Sequence, residues 1–96
     1  MFELFVRTVL RDGSQHEVAL SWSSLMDFEN IHKVSVMQAV DSDLSAKYLT
    51  TFAWLAAKQE GPVVSAEKYA DEIKAVQVRV ERVPFGETES TPQSQD

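Results

Sequence analysis

The stretch that decides the fold is Phe2-Glu3-Leu4-Phe5-Val6-Arg7-Thr8-Val9-Leu10-Arg11-Asp12-Gly13-Ser14-Gln15-His16-Glu17-Val18-Ala19-Leu20. Apolar Phe2, Leu4, Val6 and Leu10 alternate with Glu3, Arg7 and Arg11, which is the period of a strand. Val18 and Leu20 extend the even-numbered apolar set beyond a turn at Arg11-Asp12-Gly13. A three-residue loop with Gly13 in the left-handed region sets Leu10 opposite Ser14, Thr8 opposite His16, Val6 opposite Val18 and Leu4 opposite Leu20. A two-residue loop at Asp12-Gly13 would set Val6 opposite Ala19 and divide the apolar residues between two faces. Register follows the apolar pattern, so the three-residue loop is expected. Phe5 and Val9 then fall on the outer face. Either a helix or neighbouring strand covers part of that face, or it is an apolar patch open to a partner.

Beyond the hairpin the pattern becomes helical. Ser21 to Ser24 offer N-caps, and Ser24 with Asp27 resembles a capping box. Leu25, Phe28 and Ile31 recur at helical spacing, predicting a helix at about 23–32. Residues 33–41, with Val34, Val36, Met37 and Val40, are compatible with a strand, a loop on the core or an early start to the next helix. Asp41, Ser42 and Asp43 are cap residues for a long amphipathic helix at about 43–60. Its stripe is Leu44, Tyr48, Phe52 (or Thr51) and Leu55. Ala53, Ala56 and Ala57 favour helix and close packing. Lys58 suits the negative helix end, and Gly61-Pro62 is a stop signal with Gly61 at C′. Ser65 caps a third helix at about 66–75, with Val64 and Tyr69 at hydrophobic-staple spacing. Val76, Val78 and Val80 then alternate with Gln77, Arg79 and Glu81. This predicts a third strand, 76–82, that covers an edge of the hairpin. After Pro84 the chain turns polar and is read as a disordered tail or linker stub, 84–96. The expected architecture is α+β: one small domain over 1–83 with an N-terminal β-hairpin, about three helices and a short C-terminal strand.

Composition narrows the function. The 96 residues suffice for one domain. A chain of this size buries roughly two thirds of its unfolded surface, and 44% apolar content can supply a modest core. There is no cysteine, which removes disulfides, thiol chemistry and cysteine-ligated zinc. The net charge of −6 opposes nonspecific nucleic-acid binding, which needs clustered Lys and Arg. No apolar run approaches the roughly 20 residues that span a bilayer, and Met1-Phe2-Glu3 lacks the start of a signal peptide. A cytosolic protein is expected.

The residues that carry chemistry elsewhere read here as structure. His16 and His32 lack metal-ligand spacing. His16 is a cross-strand partner of Thr8, and His32 a helix-end residue near the C-terminal dipole. Asp27 and Glu29 lie on different helix faces, and Asp41 and Asp43 are cap candidates. The three glycines, Gly13, Gly61 and Gly86, form no phosphate-cradling loop. No catalytic, cofactor-binding or metal-binding residues are assigned. Trp22 is expected to pack between the hairpin and the first helix. Trp54 is read as core, or as core edge with its indole N–H reaching a carbonyl, with partner anchor as the second reading.

The order of these pieces resembles the phage tail assembly chaperones of long-tailed actinobacterial phages and their prophages. The match runs over most of residues 4–83. It comprises the hairpin with Asp12-Gly13 at its turn, Asp27-Phe28-Glu29 in the first helix, and Ala53-Trp54-Leu55-Ala56-Ala57-Lys58-Gln59-Glu60-Gly61. It ends in the helix around Tyr69 that runs into Val76-Gln77-Val78-Arg79-Val80-Glu81. Gln59 departs from the family's basic residue, and Tyr69 from its Phe or Trp. The resemblance implies no enzymatic activity and no cofactor. It implies a host-cytoplasmic protein, absent from the mature virion, that keeps a tape measure protein soluble while the tail tube assembles. Its implied partners are the tape measure protein, the major tail tube protein, its own frameshift-extended form and further copies of itself, with neither nucleic acid nor membrane among them. An apolar groove would shield the client's helical seams, with Phe5 and Val9 on the hairpin and Tyr48 and Trp54 on the long helix as contacts. The competing reading is a tail-completion or connector subunit retained in the particle. A third is an antitoxin-like binder or enzyme accessory.

Overall fold

The structure is a computed structural model that describes residues 2–42 and 44–82. It is an α+β fold with the order β1 (Phe2–Leu10), β2 (Gln15–Ala19), α1 (Trp22–His32), α2 (Val36–Asp41), α3 (Ala46–Glu60), α4 (Ala66–Ala70) and β3 (Ile73–Arg82). One antiparallel sheet has the order β2-β1-β3, so β1 is the central strand.

The hairpin takes the register expected from its apolar face. Thr8 pairs with His16 and Val6 with Val18. The Leu10 N–H donates to the Ser14 carbonyl at 2.9 Å, and Leu20 N–H to Leu4 at 2.9 Å. Gly13, at φ 93°, takes the one turn position that penalises a Cβ. Asp12 fastens the loop by accepting from the Ser14 hydroxyl at 2.7 Å and the Ser14 N–H at 2.9 Å. The hydroxyl bond first, and the backbone bond second, hold the Asp12 carboxyl below its ordinary pKa.

Leu4, Val6 and Thr8 on the even-numbered face of β1 are buried, and the helices pack there. Leu25 and Phe28 of α1 meet Phe52, Ala53, Leu55 and Ala56 of α3 over this face. Phe28 and Phe52 are fully buried, with rings stacked at a 4.2 Å centroid distance and 5° between planes. Val76, Val78 and Val80 extend the same face along β3, half-buried against the core.

Four helices stand where about three were expected, because residues 36–41 form a helix of their own. The physical reason lies in the donors at its start. The Ser35 hydroxyl accepts from the Gln38 N–H, and the Glu29 carboxylate from the Val36 N–H at 2.8 Å. Two orphan donors are thereby satisfied by side chains that precede the helix. Lys33 makes the bend between α1 and α2 in the left-handed conformation, at φ 60°.

Other boundaries move for similar reasons. The cap of α1 is Ser21, whose hydroxyl accepts from the Ser24 N–H; Ser24 itself is buried inside the helix. The long helix starts at Ala46 under a Ser45 cap, while Asp41 closes α2. The third expected helix, 66–75, stops at Ala70, and the last strand begins at Ile73 where 76 was expected. Sheet pairing overrides local helix preference here: Ile73 lies opposite Leu10 and the Arg11 N–H donates to the Glu72 carbonyl at 2.8 Å. A bulge between Val9 and Leu10 absorbs the extra residue. Ser65 is the cap of α4 as expected, and Gly61 ends α3 at φ 153°, unfavourable for residues with a Cβ. The expected tail, 84–96, lies outside the described residues, as does Asp43.

Candidate functional site, an apolar interaction surface

The four residues expected to contact a partner are divided between two sides of the molecule. Phe5 and Val9 lie on the odd-numbered face of β1, away from the core, and both are half-buried. Phe5 sits between Ala19 of β2 and Arg79 of β3. The neighbouring strand covers part of this face: the Arg79 guanidinium stacks on the Phe5 ring at 4.3 Å and pairs with Glu17 and Glu81. Tyr48 and Trp54 belong to the helical side. Tyr48 is half-buried, edge-on to Phe28 at 5.6 Å and to His32 at 4.9 Å. The Trp54 indole N–H donates to the Val64 carbonyl at 2.7 Å, the core-edge arrangement expected of it, and Lys58 covers the ring at 4.4 Å.

His32 ends α1 and is held by α3. Its Nε2 lies 2.7 Å from the Thr51 hydroxyl, which itself donates to the Lys47 carbonyl. The direction of the His32–Thr51 bond follows the His32 tautomer. Burial first, and the Lys47 charge second, push the His32 pKa below its ordinary value.

Gln59 stands at the crossing of three elements. Its Oε1 accepts from the Ser21 N–H and the Ser24 hydroxyl, both at 2.8 Å, and its Nε2 donates to the Ala19 carbonyl at 3.0 Å. A lysine or arginine at this position has no acceptor for the first two bonds.

Trp22 departs most from expectation. It was expected to be packed between hairpin and helix, yet it remains 62% exposed, with its ring tilted against Phe2 at 5.9 Å. Met26, one helical turn on, is 55% exposed. Together with Phe2, Leu25, Val36 and Met37 they line a groove of about 150 Å³, whose polar members are Glu29 and Ser35. The helix of α1 therefore buries Leu25 and Phe28 inward and presents Trp22 and Met26 outward. Ile31, assigned to the buried stripe from spacing alone, is also outside it and faces a second, shallower groove beside α3 and α4. Spacing alone places Trp22 and Met26 on one helix face, off the Leu25–Phe28 stripe, without saying whether that face is covered.

A cleft of about 230 Å³ lies on the sheet side of α3, where Ala53, Ala56 and Ala57 are too small to fill the space over Thr8, Leu10 and Val18. Among the described residues, no group of three or more His, Asp or Glu converges in a way that could hold a metal ion. No helix among them is long and apolar enough to cross a membrane. No family model, curated protein or solved structure matches the chain.

Proposed function

We propose that this chain is a tail assembly chaperone. It holds a long tape measure protein in soluble form while tube subunits assemble, works in the host cytoplasm, and catalyses no reaction. The sequence resemblance suggests the class. The observation that carries the reading is the contiguous Phe2, Trp22, Met26 and Met37 surface on a small acidic domain. Contiguous exposed apolar surface rimmed by polar residues is a mark of interaction sites. Methionine adapts its shape to irregular apolar partners, and tryptophan anchors them. A client with repeated apolar helical seams needs a surface of this tolerance, and the net charge of −6 keeps the complex in solution.

The test is co-expression with the neighbouring tail genes, followed by pull-down on a tagged copy of this chain. Recovery of a very long helical protein together with a C-terminally extended form of the bait supports the reading. Recovery of tube or portal proteins alone, with the bait also present in purified virions, would replace it with that of a structural subunit.

A further inference from the structure

The cleft between α3 and the sheet holds two buried hydroxyls that the fold leaves unused. Thr8, on the core face of β1, is 2% exposed, and Tyr69 of α4 is 7% exposed. Both line the cleft. Among the described residues, neither hydroxyl has a hydrogen-bond partner. The other buried polar side chains do: Ser24 donates to Gln59 and Thr51 to the Lys47 carbonyl. A buried hydroxyl without a partner is destabilising, and valine in place of Thr8 would fill nearly the same space without that cost.

The walls are otherwise mostly apolar. Leu10 and Val18 of the sheet stand across from Ala53, Ala56 and Ala57 of α3. An apolar cavity of about 150 Å³ holds a benzene molecule. At about 230 Å³ this cleft has room for one aromatic ring with a small substituent. His16 and Glu60 line it from exposed positions, and no lysine or arginine does. An anionic head would meet Glu60 without a counter-charge, and Glu60, in solvent, offers a cation little. Burial first, and the Glu72 charge second, push the Tyr69 phenol above its ordinary pKa. It therefore keeps its proton and both donates and accepts, as Thr8 does.

We infer that this cleft is a binding site for a small neutral aromatic alcohol, with the ring between the alanines of α3 and the sheet and the hydroxyl on Thr8 and Tyr69. The site shares no lining residue with the Trp22 groove and does not depend on the chaperone reading.

The experiment titrates the isotope-labelled full chain with three probes of similar shape, p-cresol, toluene and p-toluate, and follows its methyl and amide NMR signals. p-Cresol should shift the signals of Thr8, Val18, Ala53 and Ala56 saturably and leave that of Trp22 in place. Toluene leaves both hydroxyls unpaired and should bind about tenfold more weakly. p-Toluate should not bind over the same concentrations. Thr8→Val should weaken p-cresol about fivefold without changing toluene binding or lowering the thermal midpoint. Absence of a saturable shift with p-cresol overturns the inference and leaves the two hydroxyls to water. Equal affinity for p-cresol and toluene, tighter binding of p-toluate, or unchanged p-cresol binding by folded Thr8→Val overturns it as well.

Discussion

The side chain of Gln59 accepts a hydrogen bond from the backbone N–H of Ser21 at 2.8 Å, tying the last turn of α3 to the cap of α1. Ser21 is where the hairpin hands over to the helices, so this contact joins the start of α1 to the end of α3. The two further bonds of Gln59, to Ser24 and Ala19, make it a three-way clamp. Gln59→Lys removes the one acceptor of two hydrogen bonds and leaves the part-buried Ser24 hydroxyl without its partner at this position. The expected loss is about 1–3 kcal/mol, read as a lower urea midpoint at constant m-value.

The stacked pair Phe28 and Phe52 is the centre of the core. Phe52→Ala should cost about 3–5 kcal/mol, because the ring's contacts vanish and the surrounding helices collapse only in part. Domains this small have little stability in reserve, so thermal unfolding should show a large fall in midpoint or complete loss of the transition.

His32 confers a pH dependence of defined sign. Its folded-state pKa lies below the ordinary 6.5, through burial and then the Lys47 charge. The unfolded chain therefore binds the proton more readily than the native one. Stability is retained above about pH 6.5 and is lost as pH falls through the folded-state pKa. Denaturation midpoints measured from pH 8 to 5 should fall on acidification. His32→Gln should remove that part of the slope, leaving the contributions of other titrating groups.

Lys33 occupies the left-handed conformation at φ 60° where α1 turns into α2. Lys33→Gly relieves a Cβ clash and should stabilise the fold by about 0.5–1 kcal/mol. A drop in stability would mean that the lysine stem contributes packing that outweighs its backbone strain.

The outward surface separates binding from folding. Trp22→Ser combined with Met26→Ser should change stability little, about 0.5 kcal/mol per site or less, because both side chains are mostly in solvent. Under the proposed chaperone function, the same variant should fail to keep a co-expressed tape measure protein soluble. Phe5→Asp tests the opposite face of the sheet in the same assay. It breaks the stack with Arg79, and a client that stays soluble in its presence assigns recognition to the Trp22 side.

Much of this fold was legible in the chain by itself. The hairpin register followed from the even-numbered apolar set and from Gly13, because a one-residue slip would set Val6 opposite Ala19 and put Leu4 and Val6 on one face with Val18 and Leu20 on the other. The existence of α1, α3 and β3 followed from periodicity, which records which face of each element is buried. What tertiary structure alone decided are the choices made between competing local options. Several serines could cap α1, and Ser21 does so; α3 was expected to be capped by Asp41, Ser42 or Asp43, and Ser45 holds that place. Residues 71–75 could continue a helix; instead Asp71 and Glu72 make a turn, and residues from Ile73 pair with the edge of β1. The clamp role of Gln59 was not legible in the chain by itself, because its partners lie 35 to 40 positions away. The exposure of Trp22 belongs to the same class. Periodicity distinguishes the faces of a helix, but which apolar face remains uncovered depends on how far the neighbouring elements extend, and that is a property of the assembled fold.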